Sequence, residues 1–355
     1  MSFIRPNFRH PESPKNALGF THKDYEGSLS TLCAGCGHDS ISAAIINACF
    51  ELSIEPHKVA KLSGIGCSSK TPTYFLGNSH GFNSVHGRMP SVTTGANLAN
   101  RDLIYIGVSG DGDSASIGLG QFSHAVRRNL NMLYMVENNG CYGLTKGQTS
   151  ATTDFESVNK AGVKNMYEPI DLVSLALQLG ATFVARSFSG DKKQLEPLIK
   201  AAISHRGFAF IDVISPCVTF NNNPGSKKSY EFVREHCDAT GTVDFVPMEK
   251  EITTDYAAGT TQEITLHDGS VIRLNKTSDS LAADNMDIHD RHAAMNAVQG
   301  AAKRGEILTG LLYVDTDPCD LHDILNTSIK PLNSLDESVL CPGNKTLQTI
   351  NDSFR

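Results

Sequence analysis

The chain has no tryptophan, and no apolar run in it approaches the roughly 20 residues that a helix needs to cross a bilayer. A membrane span is therefore not expected. Positive charge is not in excess either: 31 Lys and Arg against 38 Asp and Glu give a formal net charge of -7. Nucleic acid is then not an expected partner, because phosphate binding needs a concentrated basic surface. The opening stretch from Met1 to Phe20 is polar, carries Pro6, Pro11 and Pro14, and lacks the apolar core of a secretory leader. It reads as the start of an N-terminal arm, residues 1–29, on a cytoplasmic protein. Internal repeats and low-complexity tracts are also missing. What remains is 355 residues at 40% hydrophobic content, enough for a large core in one large domain or two smaller ones.

Cysteine, by contrast, is plentiful. Nine is an odd number for a disulfide framework, and in a reducing cytosol clustered cysteines more often bind metal or do redox chemistry. Cys33-Ala34-Gly35-Cys36 is a CxxC, followed by Gly37-His38 and a helical pattern with Ile41, Ile45, Ala48 and Leu52 on its apolar face. A c-type haem requires His directly after the second Cys, which fails here. A thioredoxin-like dithiol normally follows a strand, and Thr21 to Thr31 is too polar and glycine-interrupted for one. Zinc or an iron-sulfur cluster remains, and each needs two further ligands. Cys67, in Gly64-Ile65-Gly66-Cys67-Ser68-Ser69-Lys70 after the strand-like Lys58 to Ser63, is the third candidate. Cys217, behind the β-rich Phe208 to Ile214 and Pro216, is the fourth. Cys49 reads as a small core hydrophobe, and Cys237, Cys319 and Cys341 as bystanders.

Two further segments point to chemistry. Gly110-Asp111-Gly112-Asp113 follows the apolar run Leu103 to Val108 and precedes a helical pattern from Gly118 to Arg128. Asp111 is therefore expected at the carboxyl end of a strand, where open α/β sheets bind ligands. Asn138-Asn139-Gly140-Cys141-Tyr142-Gly143 ends a second apolar run, Met132 to Val136, and is expected at the same edge one strand away. Mg²⁺ takes oxygen ligands in near-octahedral geometry and shares them with phosphates. Asp111, the Asn139 side chain and a main-chain carbonyl would supply three. GDGD alone is an ordinary Gly-rich turn; the second element at this spacing changes the reading.

The pair resembles the thiamine-diphosphate motif, GDG followed at this distance by NN. That likeness implies Mg²⁺ ligation by Asp111, Asn139 and the Cys141 carbonyl. CxxCGH, GIGCSS, His86-Gly87-Arg88, GDGD, NNGCYGLTKGQ and a Cys after a late strand occur in this order in the β subunits of 2-oxoacid:ferredoxin oxidoreductases. The resemblance covers about Ser30 to Asn223, and Glu306 to Tyr313 is similar to the 2-oxoglutarate-type members. It implies one four-iron four-sulfur cluster on Cys33, Cys36, Cys67 and Cys217. It also implies thiamine diphosphate among Cys67, Ser68, Ser69, His86, Gly112, Asp113, Tyr142, Gly143, Leu144 and Thr145. The chain departs from the relatives' Trp-Cys-Pro-Gly-Cys in having Leu32 and Ala34, neither of which ligates. Lys70 and Lys146, flexible charges beside these motifs, are candidates to hold the carboxylates of a substrate such as 2-oxoglutarate.

The expected fold is α/β, a doubly wound parallel sheet of the thiamine-diphosphate-binding type with a C-terminal appendage. Helix-period segments at Asp39 to Leu52, Asp171 to Leu179 and Lys192 to Ser204 alternate with strand-like runs at Leu103, Met132, Thr182 and Phe208. Thr149 to Tyr167 reads as a loop over the site. Residues 30–226 form the cofactor and cluster domain, and 227–355 an extension that packs on the core or a partner. Within it Glu263 to Leu274 reads as a hairpin with an Asp-Gly turn, and Asp287 to Arg304 as a polar helix. The resemblance implies CoA-dependent oxidative decarboxylation of 2-oxoglutarate to succinyl-CoA and CO2, or the reverse, with ferredoxin as electron carrier. It further implies an α subunit in an αβ heterodimer or its dimer, which supplies the activating carboxylate and much of the coenzyme A site. The rival expectations are the same chemistry on pyruvate or several oxoacids, a non-oxidative thiamine decarboxylase with structural zinc, and a non-catalytic nucleotide-binding scaffold.

Overall fold

Apolar runs that carry no solvent face become central parallel strands, because helices on both sides of such a sheet bury both surfaces of each strand. A computed structural model describes residues 12–223, 225–240, 242–246, 261–265, 271–275, 286–341 and 343–355. In it β1 (Val59–Ser63), β2 (His80–Asn83), β3 (Ile104–Gly110) and β4 (Met132–Asn138) precede a two-strand ribbon of β5 (Cys141–Tyr142) and β6 (Gln148–Thr149). Then come β7 (Phe183–Phe188), β8 (Phe208–Ile214) and β9 (Cys237–Ala239). They are followed by a separate three-stranded sheet of β10 (Thr242–Val246), β11 (Thr261–Thr265) and β12 (Val271–Asn275), and by β13 (Ile307–Val314). The main sheet runs in the order β2-β1-β3-β4-β8-β7-β13-β9. It is parallel from β2 to β7; β13 runs antiparallel to β7, and β9 pairs parallel with β13.

The helices follow from this order. They are α1 (Gly37–Glu51), α2 (Met89–Ala99), α3 (Leu119–Arg127), α4 (Leu172–Leu179), α5 (Lys192–Ser204), α6 (Tyr230–His236) and α7 (Arg291–Arg304). Right-handed crossovers place helices of opposite travel on opposite faces. The connections carrying α2, α3 and α4 all step one way along the sheet, whereas the one carrying α5 steps back. Packing agrees: α2 lies on α3, α3 on α4 and α4 on α7, while α5 packs against α1. Rings occupy the middle, where Phe122 from α3 meets Tyr134, Phe208 and Phe210 at centroid distances of 5.3, 5.9 and 5.2 Å. Edge-on pairs of this kind add about 0.5–1.5 kcal/mol each beyond burial.

The expected element boundaries shift where caps decide them. The third helix starts at Leu119 because the chain leaves β3 through a π-helical turn, Asp113–Ile117. The expected polar helix from Asp287 begins at Arg291, since the Asp290 carboxylate accepts the His292 and Ala293 N–H groups as an N-cap. The anticipated hairpin is present as the antiparallel β11–β12 pair, with Glu263 opposite Arg273. Its Asp268-Gly269 turn lies outside the described residues, as do Pro6 and Pro11 of the arm. Residues beyond 226 contribute β9 and β13 to the main sheet and α7 to one of its faces. No helix among the described residues is long and apolar enough to cross a membrane.

One consequence of the order matters for the site. From β1 the chain turns to β2 on one side, and from β3 to β4 on the other. Their carboxyl ends therefore flank a topological switch point, the usual ligand crevice of such sheets.

The sheet also holds a pH-sensitive group. Lys61 on β1 is buried, and its Nζ donates to the Phe75 and Leu76 carbonyls at 2.6 and 3.0 Å. Burial pushes its pKa down from 10.5 to about 8. Above that value the unfolded chain binds the extra proton, so stability rises with pH until the unfolded lysine also titrates. The unfolding free energy of the parent is expected to rise relative to Lys61→Met between about pH 8 and 10. Urea denaturation at several pH values checks this, and a constant difference would contradict it.

Candidate active-site cleft

Four adjacent strands, β1, β3, β4 and β8, end side by side, and each delivers one element of the site. The turn after β1 carries Gly66, Cys67 and Ser68; β3 ends in Gly110-Asp111; β4 ends in Asn138-Asn139; and β8 leads through Ser215 to Cys217. A cleft of about 480 Å³ opens over the first three. Its walls include Cys67, Ser68, His86, Asp111, Gly112, Asp113, Asn139, Cys141, Tyr142, Gly143, Leu144 and Thr145. Most of the residues singled out from sequence thus come together. Ser69, Lys70 and Lys146 do not line it: Lys70 lies on the 3₁₀ turn behind Cys67, and Lys146 is exposed. Cys33, Cys36 and Cys217 lie outside the cleft wall.

Glycine is required at specific points of this cleft. A Cβ on Gly112 would run into the Tyr142 ring, with Cζ at 2.7 Å, and a Cβ on Gly110 would meet Ser68 Oγ at 2.7 Å. Gly66 has φ +126°, a conformation that side chains disfavour. Tyr142 is held over Gly112 by its hydroxyl, which donates to the Gly112 carbonyl at 3.1 Å.

Asp111 is 1% exposed. Its Oδ2 accepts from the Ser150 and Thr152 hydroxyls at 2.5 and 2.6 Å, while Oδ1 receives a long 3.4 Å contact from the Asn139 N–H. Burial raises its pKa, and the two hydroxyls, Lys228 and the Asn139 amide act against that. Asn139 Oδ1 accepts the Cys141 N–H at 3.1 Å, and its Nδ2 faces His38 Nε2 at 3.5 Å. Both Oδ1 atoms keep acceptor capacity, so the donor set fits a hard divalent cation. Asp113 is used differently. Its oxygens accept from Gly87 N at 2.7 Å and Ser109 Oγ at 2.8 Å, tying the His86-Gly87 loop to the sheet.

The thiols form a neighbourhood behind the cleft. Cys67 Sγ and Cys217 Sγ each stand 3.6 Å from the position a Cβ on Gly143 would take, and Thr219 Oγ1 lies 3.7 Å from Cys33 Sγ. The Cys141 thiol, then burial in the opposite sense, then the Thr219, Phe220 and Asn221 N–H groups act on Cys217, whose pKa comes down to about 6. Burial pushes Cys36 up to about 12 and also raises Cys67. Among the described residues no group of three or more His, Cys, Asp or Glu side chains stands arranged to hold a metal ion. The thiol set and the amide donors around Cys217 nonetheless suit a sulfur-ligated cluster, whose sulfurs take N–H hydrogen bonds.

Several residues with a part in this geometry were not identified from sequence. His38 Nδ1 lies 2.5 Å from Ser215 Oγ and 3.5 Å from Glu137 Oε2. Glu137, 0% exposed, accepts from Thr71 Oγ1 at 2.9 Å. Burial lowers His38 to about 4 and raises Glu137 well above its ordinary value, with the Thr71 hydroxyl acting against the rise on Glu137. Arg186 bridges Asp171 and Asp212, and Asp212 in turn accepts from Asn138 Nδ2 at 3.1 Å. An acidic residue inside the apolar run before Asn138 was a visible signal for Glu137, and the hydroxyl-rich Thr149 to Thr153 one for the loop.

Comparison with known proteins gives a consistent likeness. Residues 64–213 match the model of the thiamine pyrophosphate enzyme, C-terminal TPP binding domain. The chain is 44% identical over 191 residues to the 2-oxoacid:ferredoxin oxidoreductase subunit beta of Saccharolobus solfataricus, covering 54% of this chain and 63% of that protein. The match thus spans less than two thirds of that relative. With the 2-oxoglutarate synthase subunit KorB of Methanocaldococcus jannaschii it shares 38% over 189 residues, 53% of this chain and 69% of the relative. The solved structure of a 2-oxoglutarate:ferredoxin oxidoreductase from Magnetococcus marinus, with 2-oxoglutarate, coenzyme A and succinyl-CoA bound, superposes with a TM-score of 0.68 at 31% identity. That superposition covers 90% of this chain and 94% of the other.

Gly112→Ala is expected to destabilise the chain by about 1–3 kcal/mol through overpacking against Tyr142. Much of that cost should disappear when Tyr142 is also replaced by Ser. Equal costs of Gly112→Ala in both backgrounds, measured by chemical denaturation, would contradict the contact.

Proposed function

Because the chain belongs to the β subunits of the 2-oxoacid:ferredoxin oxidoreductases, we propose that it carries the thiamine diphosphate, Mg²⁺ and [4Fe-4S] sites of a cytoplasmic enzyme that converts 2-oxoglutarate and coenzyme A to succinyl-CoA and CO2, or the reverse, with ferredoxin as electron carrier. The observation that carries this reading is the convergence of Asp111, Asn139 and Cys67 on one cleft, with Cys217 beside it. Residues 30–226 are proposed as the cofactor and cluster unit, and 227–355 as the extension. The 2-oxoglutarate named for the similar proteins supports the dicarboxylate substrate over pyruvate.

Each residue set has a distinct task. Asp111, Asn139 and the Cys141 carbonyl would hold Mg²⁺, and the Gly112 to Thr145 wall would seat the diphosphate and ring system. When bound, thiamine diphosphate supplies the carbon nucleophile and electron sink for decarboxylation, and the cluster accepts electrons singly. Cys33, Cys36, Cys67 and Cys217 would ligate that cluster, with the Cys141 thiol and the amides after Cys217 favouring the thiolate of Cys217. Gly66 and Gly143 keep the path between cleft and thiols free of side chains. Lys70 and Lys146, which lie outside the cleft wall, are the side chains proposed for the substrate carboxylates. Asp111 and Asp113 are the acidic side chains that line the cleft among the described residues, and both already accept hydrogen bonds. The carboxylate that activates the cofactor is accordingly assigned to an α subunit, in an αβ heterodimer or its dimer.

Anaerobic purification of the chain with its α partner allows a direct test. On adding 2-oxoglutarate and coenzyme A, the visible iron-sulfur absorption should bleach, and pyruvate should leave it unchanged. Bleaching by pyruvate instead would overturn the substrate, turnover by the isolated chain would overturn the need for a partner, and a colourless protein would overturn the cluster.

A further inference from the structure

The loop that follows β6 reaches back over the end of β3 and places three hydroxyls in the wall behind Asp111. Ser150, Thr152 and Thr153 are all buried, Thr152 to 2% exposure. Thr153 fixes the loop: its Oγ1 accepts the Ser150 N–H at 2.7 Å and donates to the Gly140 carbonyl at 2.7 Å. The loop is thereby locked to the Asn139-Gly140 turn, the other half of the proposed cation site. From this position Ser150 and Thr152 both aim at one oxygen of Asp111, Oδ2, at 2.5 and 2.6 Å. Thr152 Oγ1 also lies 3.2 Å from Asn138 Oδ1. A hydroxyl has one proton, and the shorter contact, to the carboxylate, takes it.

The two oxygens of Asp111 are therefore not equivalent. Oδ2 is occupied by two short charge-assisted hydrogen bonds, while Oδ1 has the 3.4 Å contact from Asn139 N. We propose that Ser150 and Thr152 are positioning residues of the cation site: by holding Oδ2 they fix the carboxylate plane and leave Oδ1 as the single oxygen offered to the metal. A carboxylate free to turn would present either or both oxygens and lose that definition. Outer partners of this kind orient ligands, and their loss typically costs 10–100-fold in metal affinity. The inference rests on the cofactor reading above and adds to it residues that lie outside the paired motif.

Mn²⁺ titration followed by EPR of the free ion, on the full chain in its complex and with saturating thiamine diphosphate, tests it. Thr152→Val, which keeps the shape and removes the hydroxyl, should raise the Mn²⁺ dissociation constant 10–100-fold, and Thr152→Ser should stay within about threefold of the parent. Ser150→Ala provides a second, smaller deletion should Thr152→Val fold poorly. The dissociation constant of thiamine diphosphate at saturating Mn²⁺ should be unchanged, whereas general distortion of the cleft would weaken both. Unaltered Mn²⁺ affinity in Thr152→Val and Ser150→Ala overturns the positioning role while leaving the cofactor reading intact. A parent that binds neither Mn²⁺ nor thiamine diphosphate overturns both.

Discussion

A carboxylate taken out of water at the end of a β-strand has to be surrounded by donors, since an uncompensated buried charge costs several kcal/mol. Asp111 imposes this requirement on the chain around it. Its donors come from the β4 turn and the loop after β6, which must fold back over β3 to reach it. The loop is then stitched to the β4 turn through Thr153 and to the chain after β8 through Lys228, which pairs with Asp154 at 3.0 Å. Satisfying one acid thus ties the β4 turn and the loop after β6 to the end of β3, and the Lys228–Asp154 pair adds the chain after β8.

The strand order makes that convergence possible. Neighbouring strands lie about 4.8 Å apart, so the ends of β1, β3, β4 and β8 form one row, and ligand groups one or two residues beyond each strand share a crevice. Behind the row a second set of contacts stiffens the frame: Arg186 between Asp171 and Asp212, and Asp212 to Asn138. Asp171 also caps α4 through the Val173 N–H, so the helix start and the site frame depend on the same side chain.

Electrostatics separates the thiols from their surroundings. Burial pushes His38 down and Glu137 up, so at both groups it disfavours the charged form between the β4 turn and the cysteines. Within the thiol group Cys217 is set apart, because the Cys141 thiol and three successive amides converge on its sulfur while Cys36 and Cys67 are raised by burial. Of these donors the Cys141 thiol is the one that a side-chain substitution would remove, while the three amides would remain.

The motif residues were legible in the sequence because their types are dictated by chemistry that acts at short range. Acid and amide oxygens suit a hard cation, thiols suit a cluster, and glycines stand where Gly110 and Gly112 leave no room for a Cβ. Apolar runs and helical periodicity gave the strands and helices for the same reason, since both patterns are local. The caps also corrected the boundaries, as Asp290 did for α7. What only the tertiary structure decided is who supports the motif. Ser150 and Thr152 on Asp111, His38 against Asn139, and Asp212 on Asn138 are pairings between segments whose separation along the chain carries no signal of contact. They arise when parallel crossovers bring β3, β4 and β8 side by side, a long-range arrangement that composition and spacing do not encode residue by residue.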